Sequence, residues 1–327
     1  MYTSLTERMP KVSSDELIAG LVPPPHFDQV RFSNYIPNPH QPTQSLTLEN
    51  LQEFAALISE PKKFWKRNDS RLKGRYLDGG FGVGKTHLLA ALWHEVDVPK
   101  VFGTFVEYTN LVGALGFHET VSLLQKFKLV CIDEFELDDP GDTVLMSTLL
   151  MRLVEHGVFL ASTSNTLPDR LGEERFAADD FQREIQGLAA HFESLRVDGE
   201  DFRHRGIPTA IETSTSEELL SIATNATNSS FDNFAELSKH LAKLHPSKYR
   251  ALIHDIEVAC ISNVESITDQ AIALRWVVLA DRLYDQDVRV VTSGIKLDEL
   301  FAPELLRGGY RKKYRRALSR LIALSQI

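Results

Sequence analysis

The chain has 327 residues, of which 43% are hydrophobic and 25% charged, and a formal net charge of −9. That profile predicts a soluble globular protein of one or two domains and excludes disordered, fibrous and membrane-spanning classes. The acidic balance argues against indiscriminate nucleic-acid binding, because polyanions repel acidic surfaces. The two cysteines, Cys131 and Cys260, lie in apolar runs and read as buried free thiols suited to a reducing cytoplasm.

In chain order, residues 1–70 read as an N-terminal segment. Its first 45 residues are rich in proline and polar side chains and are expected to run extended over other structure. They show neither a signal-peptide apolar run nor transit-peptide composition. A helix is predicted at 47–59, with Thr47 as N-cap and Leu51, Phe54, Leu57 and Ile58 on one face.

Residues 71–211 alternate strands ("RYLD", "TFVEY", "KLVCIDE", "VFLASTS") with helices ("KTHLLAALWHEV", "VLMSTLLMRLVEHG", the latter closed by Gly157). Such alternation predicts an α/β fold with a parallel sheet covered on both faces. Residues 212–233 are dense in Ser, Thr and Asn and read as a polar linker with at most a short helix. Residues 234–327 read as mainly helical, with one further strand, "VRVVTS", and a basic helix from about 309 to the end. No internal repeat is visible.

Two motifs carry chemistry. Gly79, Gly80, Phe81, Gly82, Val83, Gly84, Lys85 and Thr86 match G-x-x-x-x-G-K-[ST] between a strand and a helix. Glycines let backbone N–H groups close on phosphate oxygens, and the helix N-terminus adds partial positive charge. Lys85 can reach β- and γ-phosphates and the Thr86 hydroxyl can ligate Mg²⁺. "KLVCIDEFE" then places Asp133 and Glu134 at the tip of a buried strand, where parallel sheets hold ligands. Asp133 is the expected Mg²⁺ partner and Glu134 the residue that orients or activates water. Together the motifs predict ATP or a related nucleoside triphosphate as ligand, and its hydrolysis.

Three further features each have more than one reading. Asn165 ends a strand and either caps the next turn or, if that strand neighbours Asp133, approaches the γ-phosphate. Arg183 pairs with an acidic neighbour such as Asp179 or Asp180, or acts as an arginine finger on another subunit's nucleotide. The segment 307–320 carries seven Arg or Lys and no acid. Its helix, with Arg316 and Arg320 on one face, either folds over the nucleotide, binds an acidic partner or nucleic acid, or is simply solvated. Neither His87 nor His94 has zinc-ligand spacing.

The ordered set "LDGGFGVGKTHLL", "CIDEFEL", "STSNTLPDRL", "FQREI", "VDGEDFRHR", "LADRLYDQDVRVVTSG" and "YRRALSRL" resembles the ZapE family of AAA+ ATPases, bacterial cell-division proteins related to a mitochondrial ATPase family. The resemblance implies a P-loop AAA+ module with Asn165 as first sensor, Arg183 as finger, and Arg316 or Arg320 near the nucleotide. It further implies ATP and Mg²⁺ as cofactors, nucleotide-dependent homo-oligomers, a cytoplasmic location at the division site, and the tubulin-like protein FtsZ as partner, without stable nucleic-acid binding. A nucleotide-gated DNA-binding adaptor resembling helicase loaders is the alternative.

Overall fold

A computed structural model describes residues 2–60, 72–80, 82–136, 140–166, 186–187, 189–199 and 213–326. The chain divides into a first unit, Ser14–His204, and a second, Met1–Ser13 with Arg205–Ile327. Among the described residues no helix is long and apolar enough to cross a membrane.

In the first unit the described strands are β1 (Gly74–Asp78), β2 (Lys100–Thr104), β3 (Leu129–Asp133), β4 (Phe159–Ser164) and β5 (Phe192–Arg196). They form an all-parallel sheet in the order β2-β3-β4-β1-β5. Side chains alternate across a strand, so neighbouring residues feed opposite cores. Tyr76, Val101, Val130 and Leu160 enter one core, with Phe105, Tyr108, Met146 and Leu149. Leu77, Phe102, Cys131 and Ala161 enter the other, with Leu51, Phe54, Leu88 and Leu92. The first core is covered by α4 (Phe105–Leu115), α5 (Phe117–Leu124) and α6 (Pro140–Glu155), the second by α2 (Pro42–Ser59) and α3 (Lys85–Glu95). A short α1 (Ser14–Ala19) precedes them.

Two local expectations are corrected here. Helix α2 starts five residues earlier than predicted, with Gln41 as N-cap and Pro42 in the first turn. Thr47 lies inside it, buried, and donates its hydroxyl to the Arg196 carbonyl at 3.1 Å. The run "TFVEY" is no strand: β2 ends at Thr104, and Phe105 opens α4. Thr104 and Glu107 form a capping box, each side chain accepting the other's backbone N–H. Such caps are worth about 1 kcal/mol and outweigh the strand preference of Phe and Val.

The second unit contains α7 (Ser216–Asn225), β6 (Ser229–Asn233), α8 (Phe234–Lys243), α9 (Tyr249–Leu252), β7 (Val258–Val264), α10 (Gln270–Asp285), β8 (Arg289–Gly294), α11 (Pro303–Arg307) and α12 (Arg311–Ser325). Its strands form a parallel sheet in the order β6-β7-β8. The segment expected as a linker thus supplies both a helix and a strand. Ser229 and Ser230 are almost wholly buried in β6, their backbone groups paired on both sides, so serine-rich composition misleads here. Helices still dominate 234–327, but that region holds two strands, β7 and β8, where only the second was expected: in sequence the apolar run of β7 reads as part of the helical pattern. Both cysteines are buried and free, and burial raises the Cys260 thiol to about 11.

Candidate functional site

Strand order brings the tips of β1, β3 and β4 side by side. From the tip of β1 the chain turns through Gly79 and Gly80 and, after Phe81, which lies outside the described residues, enters α3 at Lys85. A Cβ on Gly79 would stand 2.2 Å from the carbonyl oxygen of Val197, the residue after β5, so only glycine fits there. Gly84 is left-handed at φ 93° and caps α3 without using a side chain. The first N–H groups of α3 thus stay uncovered by any capping side chain.

Lys85 is only 8% exposed. Its ammonium donates to the Gly79 carbonyl at 3.0 Å, the Gly80 carbonyl at 2.5 Å and Asn165 Oδ1 at 2.9 Å. Asn165 follows β4, which pairs with β3, and its Nδ2 donates to Glu136 Oε1 at 3.1 Å. The Thr86 hydroxyl lies 3.1 Å from both Asp133 carboxylate oxygens. Thr163, on β4, donates to Asp133 Oδ1 at 2.5 Å. A hydroxyl facing a carboxylate is an oxygen donor set that fits a hard divalent cation.

Glu134 departs from β3 in the left-handed region, at φ 55°. Its N–H donates to Thr163 Oγ1 at 3.0 Å, and the next N–H, of Phe135, to the Thr163 carbonyl at 2.7 Å. A left-handed non-glycine residue costs about 1 kcal/mol or more and persists where neighbours over-determine it. Thr163 therefore shapes the turn through both its hydroxyl and its backbone.

Several residues here carry no motif signal. Arg196 on β5 donates to the buried Asp78 at 2.6 Å and to Asp198 at 2.8 Å. Asp78 immediately precedes the glycine loop, so its charge is neutralised from β5. Gln44 donates to the Asp198 carbonyl at 2.7 Å and Thr43 accepts from the Asp198 N–H at 3.0 Å, which ties α2 to the same end of the sheet. Tyr35, from the proline-rich segment, lies against Gly84 and 5.3 Å, ring to ring, from His87. The Tyr35 hydroxyl and His87 Nε2 are buried without a hydrogen-bond partner among the described residues. Only the expectation of an extended segment lying over other structure pointed toward Tyr35.

The remaining sequence candidates stand elsewhere. Arg183 lies outside the described residues. Arg316 and Arg320 belong to the second unit, where both grip Asp281 of α10, Arg316 at 2.9 Å. Burial alone would raise the Asp281 carboxyl, but the two guanidinium groups outweigh it and hold it below the usual range. Asp281→Ala would leave two half-buried cations facing each other. It is expected to destabilise the second unit by about 3 kcal/mol, read as a lower urea midpoint by circular dichroism. An unchanged midpoint would make the pair a solvated one. Because the Asp281 carboxyl is depressed by folding, this stabilisation is present at neutral pH and is lost on acidification below the ordinary Asp range.

The family model of the AFG1-like ATPases matches residues 11–220 and 212–327. The cell division protein ZapE of Escherichia coli strain K12 is 29% identical over 174 residues, covering 48% of this chain and 46% of that protein. An uncharacterized protein of Schizosaccharomyces pombe is 27% identical over 150 residues, covering 40% of this chain and 33% of that one. The matches thus span about half, or less, of these curated relatives. Among solved structures, that of DnaI is 18% identical and covers 56% of this chain and 97% of its own, with a TM-score of 0.45.

Proposed function

The chain belongs to the AFG1-like ATPase family, and on that premise we propose that its first unit binds and hydrolyses ATP and serves bacterial cell division by remodelling or regulating the FtsZ ring. The observation that carries the hydrolytic reading is the meeting of the glycine loop, Lys85 and Thr86 with Asp133, Glu134 and Asn165 at three adjacent strand tips.

In this reading the loop N–H groups and the start of α3 bind the phosphates, with Lys85 on the β- and γ-phosphates. Thr86 and Asp133 would hold Mg²⁺, which neutralises phosphate charge when bound. Glu134 orients a water for in-line attack on the γ-phosphorus and draws its proton as the bond to the β-phosphate oxygen breaks. Asn165, already bonded to Lys85, positions the γ-phosphate. The base is assigned a place beside Tyr35 and His87, whose Oη and Nε2 have no hydrogen-bond partner among the described residues. Arg183 supplies a finger to a neighbouring subunit in a nucleotide-dependent homo-oligomer.

The division role rests on the similarity to ZapE, and a cytoplasmic place at the division site follows from it. The competing DNA-adaptor reading is weakened because Arg316 and Arg320, two of the cations on the basic helix, are already spent on Asp281. Turnover measured with and without polymerised FtsZ tests the proposal. Acceleration by polymer and no salt-sensitive DNA binding is the expected result; indifference to FtsZ with DNA affinity that falls steeply with salt would favour the adaptor.

A further inference from the structure

The two units share more than the use of parallel strands. The order β6-β7-β8 repeats β2-β3-β4, and the registers coincide. Lys100↔Leu129 and Leu129↔Phe159 in the first unit match Ser229↔Val258 and Val258↔Arg289 in the second. A constant offset of 129 residues (229 − 100) carries β2 through β3 onto β6 through β7 without insertion. It superposes Phe102 on Phe231, Phe105 on Phe234, Glu107 on Glu236 and Ile132 on Ile261. The chain's two cysteines, Cys131 and Cys260, fall on the same position.

Details that secondary structure alone does not demand repeat as well. Thr104 and Asn233 are the side-chain N-caps of the helices that follow β2 and β6. Glu134 and Asn263 both take φ 55°. The Glu134 N–H donates to Thr163 Oγ1 at 3.0 Å, and the Asn263 N–H to Ser293 Oγ at 3.2 Å. Helices α6 and α10 are followed by left-handed Gly157 and Asp287. After them Val158 and Val288 donate to the carbonyls of Leu153 and Leu283, each at 3.0 Å. At the outer strands, Phe102 N–H donates to Leu21 O and Phe231 N–H to Thr3 O, each at 2.9 Å.

We infer that the second unit is a second copy of the phosphate-loop fold, with its nucleotide site erased. Ser214 donates its N–H to the Thr292 carbonyl at 2.9 Å, so the chain runs beside β8 there as β1 runs beside β4. In the first unit residues 79–84 then separate β1 from α3. In the second, α7 begins two residues after Ser214. Its N-terminus is closed by its own capping box: Thr215 Oγ1 accepts from the Glu218 N–H at 3.2 Å, and Glu218 accepts from the Thr215 N–H at 2.8 Å. A carboxylate stands at the helix end that in α3 is left for phosphate, and two anions there would repel. On β7, Ser262 and Asn263 occupy the places of Asp133 and Glu134, so neither a metal-binding carboxylate nor a base remains. The chain is a tandem of one hydrolytic copy and one nucleotide-free copy.

The site count rests on the ATPase reading of the first unit, and the test separates the two. Calorimetric titration of the full chain with ATPγS, up to millimolar concentration, is expected to give one site per chain, and in Lys85→Ala that same single site weakened by about 10²-fold or more. The double variant Ser262→Asp with Asn263→Glu restores both carboxylates but no phosphate loop, and is expected to keep one site and unchanged turnover. Photolabelling with 8-azido-ATP should mark only peptides from 14–204. A second site in the unaltered chain, or label on 205–327 that Lys85→Ala leaves in place, would overturn the inference. No binding by the unaltered chain would remove the ATPase reading while leaving the second copy inert, as inferred.

Discussion

Lys85→Ala is expected to weaken ATP binding by about 10²-fold or more and to abolish measurable turnover while the chain stays folded. A charge-assisted hydrogen bond contributes about 1.5–3 kcal/mol, and ~3 kcal/mol corresponds to about 10²-fold in affinity. The side chain is nearly buried and holds the Gly79 and Gly80 carbonyls and Asn165 together. Its loss removes the cation and also slackens the tie between β1 and β4 tips. The two cores below do not depend on it, so the far-ultraviolet circular dichroism should be unchanged. Fluorescent ATP-analogue titration and phosphate release are the measurements. Affinity within threefold of the unaltered chain would remove the phosphate assignment of the loop.

Glu134→Gln should separate binding from chemistry. The amide keeps the length and shape of the side chain, and glutamine accepts the left-handed backbone at this position about as well as glutamate. The N–H that fixes the turn on Thr163 is untouched. ATP affinity should therefore be preserved, while loss of the carboxylate that draws a proton from water should cut turnover by about 10²–10⁴-fold. Single-turnover hydrolysis beside equilibrium binding reads the two effects separately. Turnover within a few-fold would move the water-positioning role to Asn165.

The phosphate loop and the carboxylate pair were legible because each depends on a local run of residues. Glycines at 79, 80, 82 and 84, a cation and a hydroxyl must be consecutive to wrap one phosphate chain. An apolar strand ending in Asp133 and Glu134 announces a buried sheet with charge at its tip. "TFVEY" failed because a capping box overrode strand propensity at one residue boundary. The serine-rich stretch failed because composition reports average polarity, whereas the backbone groups of Ser229 and Ser230 are satisfied by strand pairing that needs residues far away in sequence.

By itself the sequence singled out the side chains to which the proposed chemistry is assigned, and determined that a parallel sheet presents them, since both follow from motifs and periodicity within short windows. It could not determine which strands are neighbours. The order β2-β3-β4-β1-β5 sets Asn165 on Lys85 and Arg196 on Asp78, contacts across 80 and 118 residues. Nor could it reveal that Arg316 and Arg320 converge on Asp281, or that two stretches with few shared residues repeat one three-strand order and register. Those facts reside in strand registers, left-handed turns and backbone hydrogen bonds. Many side-chain combinations satisfy such backbone geometry, so it persists in the fold after the residue pattern that might have disclosed it has gone.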